Sequence, residues 1–132
     1  MPNIGEGLNI FILDDEKDAC EFSRKFFEKR GFKVYAAMTG KAALDILNEA
    51  DINIALLDIH LYKGKISGID VLKVIREKQP NCQCIMLTRD DNAEMMSETK
   101  NMGAMYLVKP LTLEKIENAI AKAVNKIKKG DK

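Results

Sequence analysis

The feature that most constrains this chain is a repeated switch in hydrophobic period. Short apolar runs occur at Leu8 to Leu13, Lys33 to Ala37, Ile54 to Leu57, Cys84 to Leu87 and Met105 to Val108, each of strand length. Between them apolar residues recur every three to four positions: Phe22, Phe26 and Phe27; Ala43, Leu44 and Leu47; Val71, Leu72 and Ile75; Met95, Met96, Thr99 and Met102. A last helical pattern carries Leu113, Ile116, Ile120, Val124 and Ile127. Strands alternating strictly with helices predict an α/β fold with a mainly parallel sheet, because each parallel connection needs a crossover and the crossover helices cover both faces. The strands are nearly continuous in apolarity, as strands buried on two sides must be.

The boundaries carry matching signals. Ser67 with Asp70 three residues on predicts a capping box, Thr39 and Thr112 are placed as N-caps, Gly31 and Gly103 follow helical segments, and Pro80 stops one. A length of 132 residues suits one domain, and 21 basic against 20 acidic residues leave a formal charge of +1. No global basic field therefore recruits nucleic acid or acidic lipid. The longest apolar stretches fall far short of the roughly 20 residues that span a bilayer. No basic-then-apolar leader opens the chain, so a cytoplasmic protein away from the membrane is expected. Three cysteines, Cys20, Cys82 and Cys84, suit a reducing compartment. Cys82 and Cys84 are read as strand residues, since a chain with one histidine cannot readily complete a zinc site. The lysine-rich end, Lys122 to Lys132, is read as a solvated face that favours the helix dipole.

Ligands of open parallel sheets bind beyond the carboxyl ends of the strands, so the strand ends are the places to look. The first strand ends in Asp14 and Asp15, the third in Asp58, the fourth in Thr88, and the fifth in Lys109 and Pro110. A lone acid there is ordinarily a helix N-cap. Three acids, a hydroxyl and a lysine gathered at one rim need a chemical explanation. Clustered carboxylates relieve their repulsion by a raised pKa, a paired cation or a bound metal. A donor set of oxygens alone points to Mg²⁺.

In this order Asp14-Asp15, Asp58, Thr88 and Lys109-Pro110 resemble the receiver domain of two-component response regulators. The resemblance runs from about Leu8 to Ile127, so residues 1–132 are expected to form a single receiver domain with a core of about 8–127. It implies a flavodoxin-like (βα)5 three-layer sandwich whose five-stranded parallel sheet has the order 2-1-3-4-5. It also implies that Asp58 is the phosphoacceptor, taking a phosphoryl group from a phosphohistidine of a sensor histidine kinase or a histidine phosphotransfer protein. Mg²⁺ would be held by Asp15, Asp58 and the main-chain carbonyl of His60, with Asp14 acting through a water. Lys109 would pair with a phosphoryl oxygen, and the Lys109-Pro110 bond is a candidate cis peptide. Thr88 would donate its hydroxyl to the phosphoryl group and Tyr106 would change rotamer, altering the surface of the fourth helix, fifth strand and fifth helix. A downstream protein or an output domain would read that surface. No enzyme activity is implied beyond self-catalysed phosphoryl transfer to Asp58 and its slow hydrolysis. The chain is expected to be a stand-alone regulator or a domain cut from a longer protein, and a monomer or a phosphorylation-dependent dimer.

Three features depart from the family pattern. Asp58 lies ten residues before Gly68 where eight is usual, with no intervening proline, so the loop Leu61 to Ser67, with Lys63 and Lys65, is long. A single residue separates Gly103-Ala104 from Tyr106 where two are common. Arg89 follows Thr88 where the family has a small residue. Arg89 is expected to hinder access to Asp58, the alternatives being an outward pairing with Asp90 or Asp91 and a role like that of an arginine finger. His60 and Asp90 are placed with it as residues that tune the chemistry. The competing readings are a receiver-like module that binds partners without phosphorylation and a haloacid-dehalogenase-like phosphatase. The latter needs a second aspartate where His60 stands. A dinucleotide site is disfavoured because no Gly-rich loop follows the first strand.

Overall fold

The structure, a computed structural model, describes residues 3–61, 65–89 and 93–130. Strands and helices alternate as β1 (Asn9–Leu13), α1 (Lys17–Glu28), β2 (Lys33–Ala37), α2 (Gly40–Glu49), β3 (Ile54–Asp58), α3 (Gly68–Lys78), β4 (Gln83–Thr88), α4 (Ala93–Asn101), β5 (Met105–Val108) and α5 (Leu113–Lys128). All strand pairs are parallel and the sheet order is β2-β1-β3-β4-β5. This is the expected flavodoxin-like order. Leu8 falls just outside β1, whereas β3 reaches Asp58, and β4 begins at Gln83 and ends at Thr88. The polar ends join because backbone pairing is indifferent to side-chain polarity, so the ladder continues past the apolar run.

Each strand alternates between two cores. Phe11, Leu13, Ala55, Leu57, Cys84 and Met86 pack under α2 and α3, with Met95, Met102 and Tyr106 against them. Ile10, Ile12, Ile54, Leu56, Ile85 and Leu87 pack under α1 and α5 through Phe26, Phe27, Ala119, Ile120 and Val124. Burial on both faces keeps the middles of these strands apolar, and burying each such side chain fully contributes about 1.5–3 kcal/mol.

The helix ends follow the local chemistry. Thr39 accepts from the Ala42 N–H and Thr112 from the Lys115 N–H, while Ser67 and Asp70 form a reciprocal capping box. Gly103 leaves α4 with φ of 77°, a left-handed conformation that glycine adopts without steric cost. Arg76 on α3 donates from Nε to the Met102 carbonyl at 2.6 Å and from Nη1 to the Cys82 carbonyl at 2.8 Å, tying α3 to the segments that lead into β5 and β4. Cys20, Cys82 and Cys84 are free and buried; Cys84 lies within β4 as expected, whereas Cys82, also expected in a strand, stands one residue before β4 begins. Among the described residues no helix is long and apolar enough to cross a membrane.

Candidate functional site

Strand alternation decides what reaches the carboxyl rim of the sheet. Asp14 lies two residues beyond Ile12, Asp58 two beyond Leu56 and Lys109 two beyond Leu107, so all three continue the face that α1 and α5 cover. Because β1 neighbours β3, with Ile12 opposite Leu56, Asp14 and Asp58 come together. Carboxylate oxygens of Asp14, Asp15 and Asp58 all lie within 4.8 Å of one another. Asp58 is 4% exposed. Its Oδ2 accepts from Lys109 Nζ at 3.3 Å and its Oδ1 from the His60 N–H at 3.0 Å. The Lys109-Pro110 peptide bond is cis, the isomer expected from the sequence.

Burial, and then the neighbouring Asp58 carboxylate, push the Asp14 carboxyl above its usual value, against the opposing Glu16 N–H and Lys109. A raised native pKa means that ionising Asp14 opposes folding. Its stabilising contribution is complete below the unfolded value near 3.8 and is lost as pH rises through the folded pKa. Asp14→Asn, which keeps an oxygen for the Glu16 N–H bond of 2.9 Å, is therefore expected to stabilise the metal-free protein at neutral pH. Urea melts at neutral pH and below the carboxylate range would check this, the gain being absent at the acid end.

Thr88 belongs to the other face. It alternates with Cys84 and Met86, on the side of α3, and is fully buried. Tyr106 sits opposite Met86 in the β4–β5 register, half-buried on that same face. The His60 ring, which sequence reasoning leaves in a loop, lies with Nε2 3.2 Å from the Thr88 hydroxyl. Gly68 lets α3 sit close against β3: a Cβ there would fall 2.2 Å from the Asp58 carbonyl oxygen. The long loop is anchored at both described ends, since Leu61 packs on the core and Ile66 fills the notch over Gly40.

Arg89 is exposed and turns its Nη2 toward Glu16 Oε1 at 3.9 Å, a partner that the sequence reading did not consider. Asp90 and Asp91, and Lys63 of the long loop, lie outside the described residues. The pairing with Glu16 links the loops after β1 and β4. Nothing in the spacing of residues 16 and 89 announces it.

Chemically, the rim offers a buried carboxylate with a cation on one oxygen and a main-chain donor on the other, beside two further acids. Such a set suits an oxyanion nucleophile working near a hard cation. The three carboxylates also fit Mg²⁺ by their donor chemistry, oxygens alone within 4.8 Å of one another.

The pattern of the response regulator receiver domain matches residues 10–121. Sporulation initiation phosphotransferase F of Bacillus subtilis (strain 168) is 29% identical over 114 residues, covering 86% of this chain and 90% of that protein. The response regulator SaeR of Staphylococcus epidermidis is 32% identical over 105 residues, 79% of this chain and 44% of that protein. The transcriptional regulatory protein ZraR of Klebsiella oxytoca is matched over only 27% of its length, so this chain spans a fraction of some of its relatives. Among solved structures, a response regulator receiver domain protein from Methanospirillum hungatei JF-1 superimposes with a TM-score of 0.86 at 25% identity, covering 93% of this chain and 98% of that one. One from Clostridium thermocellum gives 0.82 at 28% identity, covering 92% and 97%. Matched over most of its length in sequence and in fold, the chain belongs to the response regulator receiver domain family of two-component signalling.

Proposed function

We propose that residues 1–132 act as one receiver domain, with its core at about 8–127, in which Asp58 is the phosphoacceptor for a sensor histidine kinase or a histidine phosphotransfer protein in the cytoplasm. The observation that carries this reading is the buried Asp58 carboxylate, bonded to Lys109 at 3.3 Å and grouped with Asp14 and Asp15. An Asp58 oxygen attacks phosphorus, the new O–P bond forms as the P–N bond to the donor imidazole breaks, and the imidazole keeps the electron pair. Lys109 is placed to follow the charge onto the transferred group. Mg²⁺, held by Asp15, Asp58 and the His60 main-chain carbonyl, with Asp14 through a water, would supply charge neutralisation to the phosphoryl oxygens. The transfer and the later hydrolysis use the domain's own residues.

Thr88 then turns its hydroxyl to the phosphoryl group, and Tyr106, on the same face of the sheet, moves inward with it. The α4, β5 and α5 surface changes shape, and a downstream protein or an output domain reads the change. The protein acts as a monomer or as a dimer formed on phosphorylation.

Incubation with acetyl phosphate and Mg²⁺ tests this directly. Intact mass should show one added phosphoryl group, and Asp58→Asn should remove it. Equal labelling of that variant would overturn the assignment.

Arg89 is expected to hinder approach to Asp58, because a bulky side chain follows Thr88 directly at the end of β4. Arg89→Ala should speed both phosphorylation by small donors and loss of phosphate by a few-fold, as an exposed pair such as that with Glu16 holds with only about 0.2–1 kcal/mol. Rates that fall would show that the guanidinium assists the chemistry.

A further inference from the structure

The face on which each rim residue lies exposes a problem for the switch. Thr88 projects on the α3 side, whereas Asp58 and Lys109 project on the α1 and α5 side. In the resting protein the Thr88 hydroxyl meets the His60 imidazole, which approaches from the loop after β3 with Nε2 at 3.2 Å. The same residue's N–H bonds Asp58 Oδ1 at 3.0 Å, which fixes where the ring starts. His60 thus touches both partners of the future contact, one through its backbone and the other through its ring.

We propose that His60 is a positioning residue whose imidazole holds the Thr88 hydroxyl away from Asp58, so that the phosphoryl group must take the hydroxyl from the ring. The proposal rests on the reading of Asp58 as phosphoacceptor and of Thr88 as the hydroxyl that answers it. Thr88 is fully buried at the end of β4, so its backbone is set by the strand and only its side chain can turn. Whichever of hydroxyl and ring donates, the bond fixes the Thr88 Oγ1 in one side-chain rotamer, and an oxygen seated at the ring is not seated for a full bond to a group across the rim, so the two contacts compete. The imidazole therefore lowers the apparent affinity for a phosphoryl group by the factor that its bond is worth.

Beryllofluoride, a phosphoryl mimic, provides the probe in saturating Mg²⁺, with affinity read by fluorine NMR. His60→Ala should bind it about fivefold more tightly, the factor that one modest hydrogen bond represents. His60→Gln, which can still reach the hydroxyl with a terminal amide, should stay near the unsubstituted protein. In a Thr88→Val background, where no hydroxyl remains to be held, His60→Ala should change nothing. In the unliganded protein the Thr88 side-chain coupling constants should shift toward rotamer averaging in His60→Ala but not in His60→Gln.

Unchanged or weaker binding by His60→Ala would overturn the proposal while leaving the acceptor in place. So would an equal gain in the Thr88→Val background. Absence of binding by the unsubstituted protein, or full binding by Asp58→Asn, would overturn the phosphoacceptor reading and this proposal with it.

Discussion

Gly68→Ala is expected to destabilise the protein by about 3 kcal/mol, the upper end of overpacking costs, and to slow phosphoryl uptake with it. The added methyl would lie 2.2 Å from the Asp58 carbonyl oxygen, 2.9 Å from the Asp58 carbonyl carbon and 2.9 Å from the Ile59 Cα. All three are backbone atoms, and no rotamer can relieve the overlap. Either α3 lifts or the end of β3 moves. Lifting α3 strains the capping box at Ser67 and the packing of Val71 and Leu72, both fully buried. Moving β3 strains the Ile59 N–H bond to the Leu87 carbonyl at 2.9 Å and carries the Asp58 carboxylate off Lys109. Melting should fall by about 10 °C for a domain of this size. The rate of labelling by acetyl phosphate should fall at temperatures where the variant is still folded. A melt within a degree or two of the parent would show that the helix can retreat without cost.

Mg²⁺ is expected to raise the melting temperature of the unphosphorylated protein, and Asp15→Ala to abolish the rise. Three carboxylates share the rim, and the Asp14 carboxyl is raised by burial and by Asp58. A cation bound only by the native state stabilises it by about 1.4 kcal/mol when present at about ten times its dissociation constant. That corresponds to about 5 °C here. The effect should fade as the pH drops into the carboxylate range, because the protonated acids no longer attract a cation. A melting curve that ignores millimolar Mg²⁺ would count against the site.

The five strands, their helices and the rim residues were legible because each rests on local pattern. Apolar period separates the strands from the helices, and Ser67 with Asp70 or Thr39 alone marks a helix start whatever the tertiary surroundings. The strand order was legible only through the likeness to a family, since period and caps are silent on which strand lies beside which. The side-chain contacts that refine the site were not legible. His60 and Thr88 are 28 residues apart, and their meeting depends on how the loop after β3 turns. Glu16 and Arg89 meet because the loops after β1 and β4, the two strands that flank β3, reach toward one another, a fact of three-dimensional packing with no trace in either segment. Asp58 and Thr88 prove to be paired strand residues, Asp58 opposite Leu87 and Thr88 opposite Val108, because the ladder outlasts the apolar run.

The alternation of the strands has an evolutionary corollary. On the proposed function, whether a rim residue serves the reaction or its readout follows its parity along the strand, since Asp58 and Lys109 continue one face and Thr88 and Tyr106 the other. Insertion of one residue within β4 would exchange the two audiences at a stroke, sending Thr88 toward α1 and α5 and turning an apolar neighbour toward α3. Changes in loop length carry no such penalty, because a loop hands the chain back to the next element in whatever phase that element's own core demands. The extra residues after Asp58 and the shortened approach to Tyr106 both fall between elements. Lineages of such domains are therefore free to vary in the connections and are held to whole-residue register in the strands.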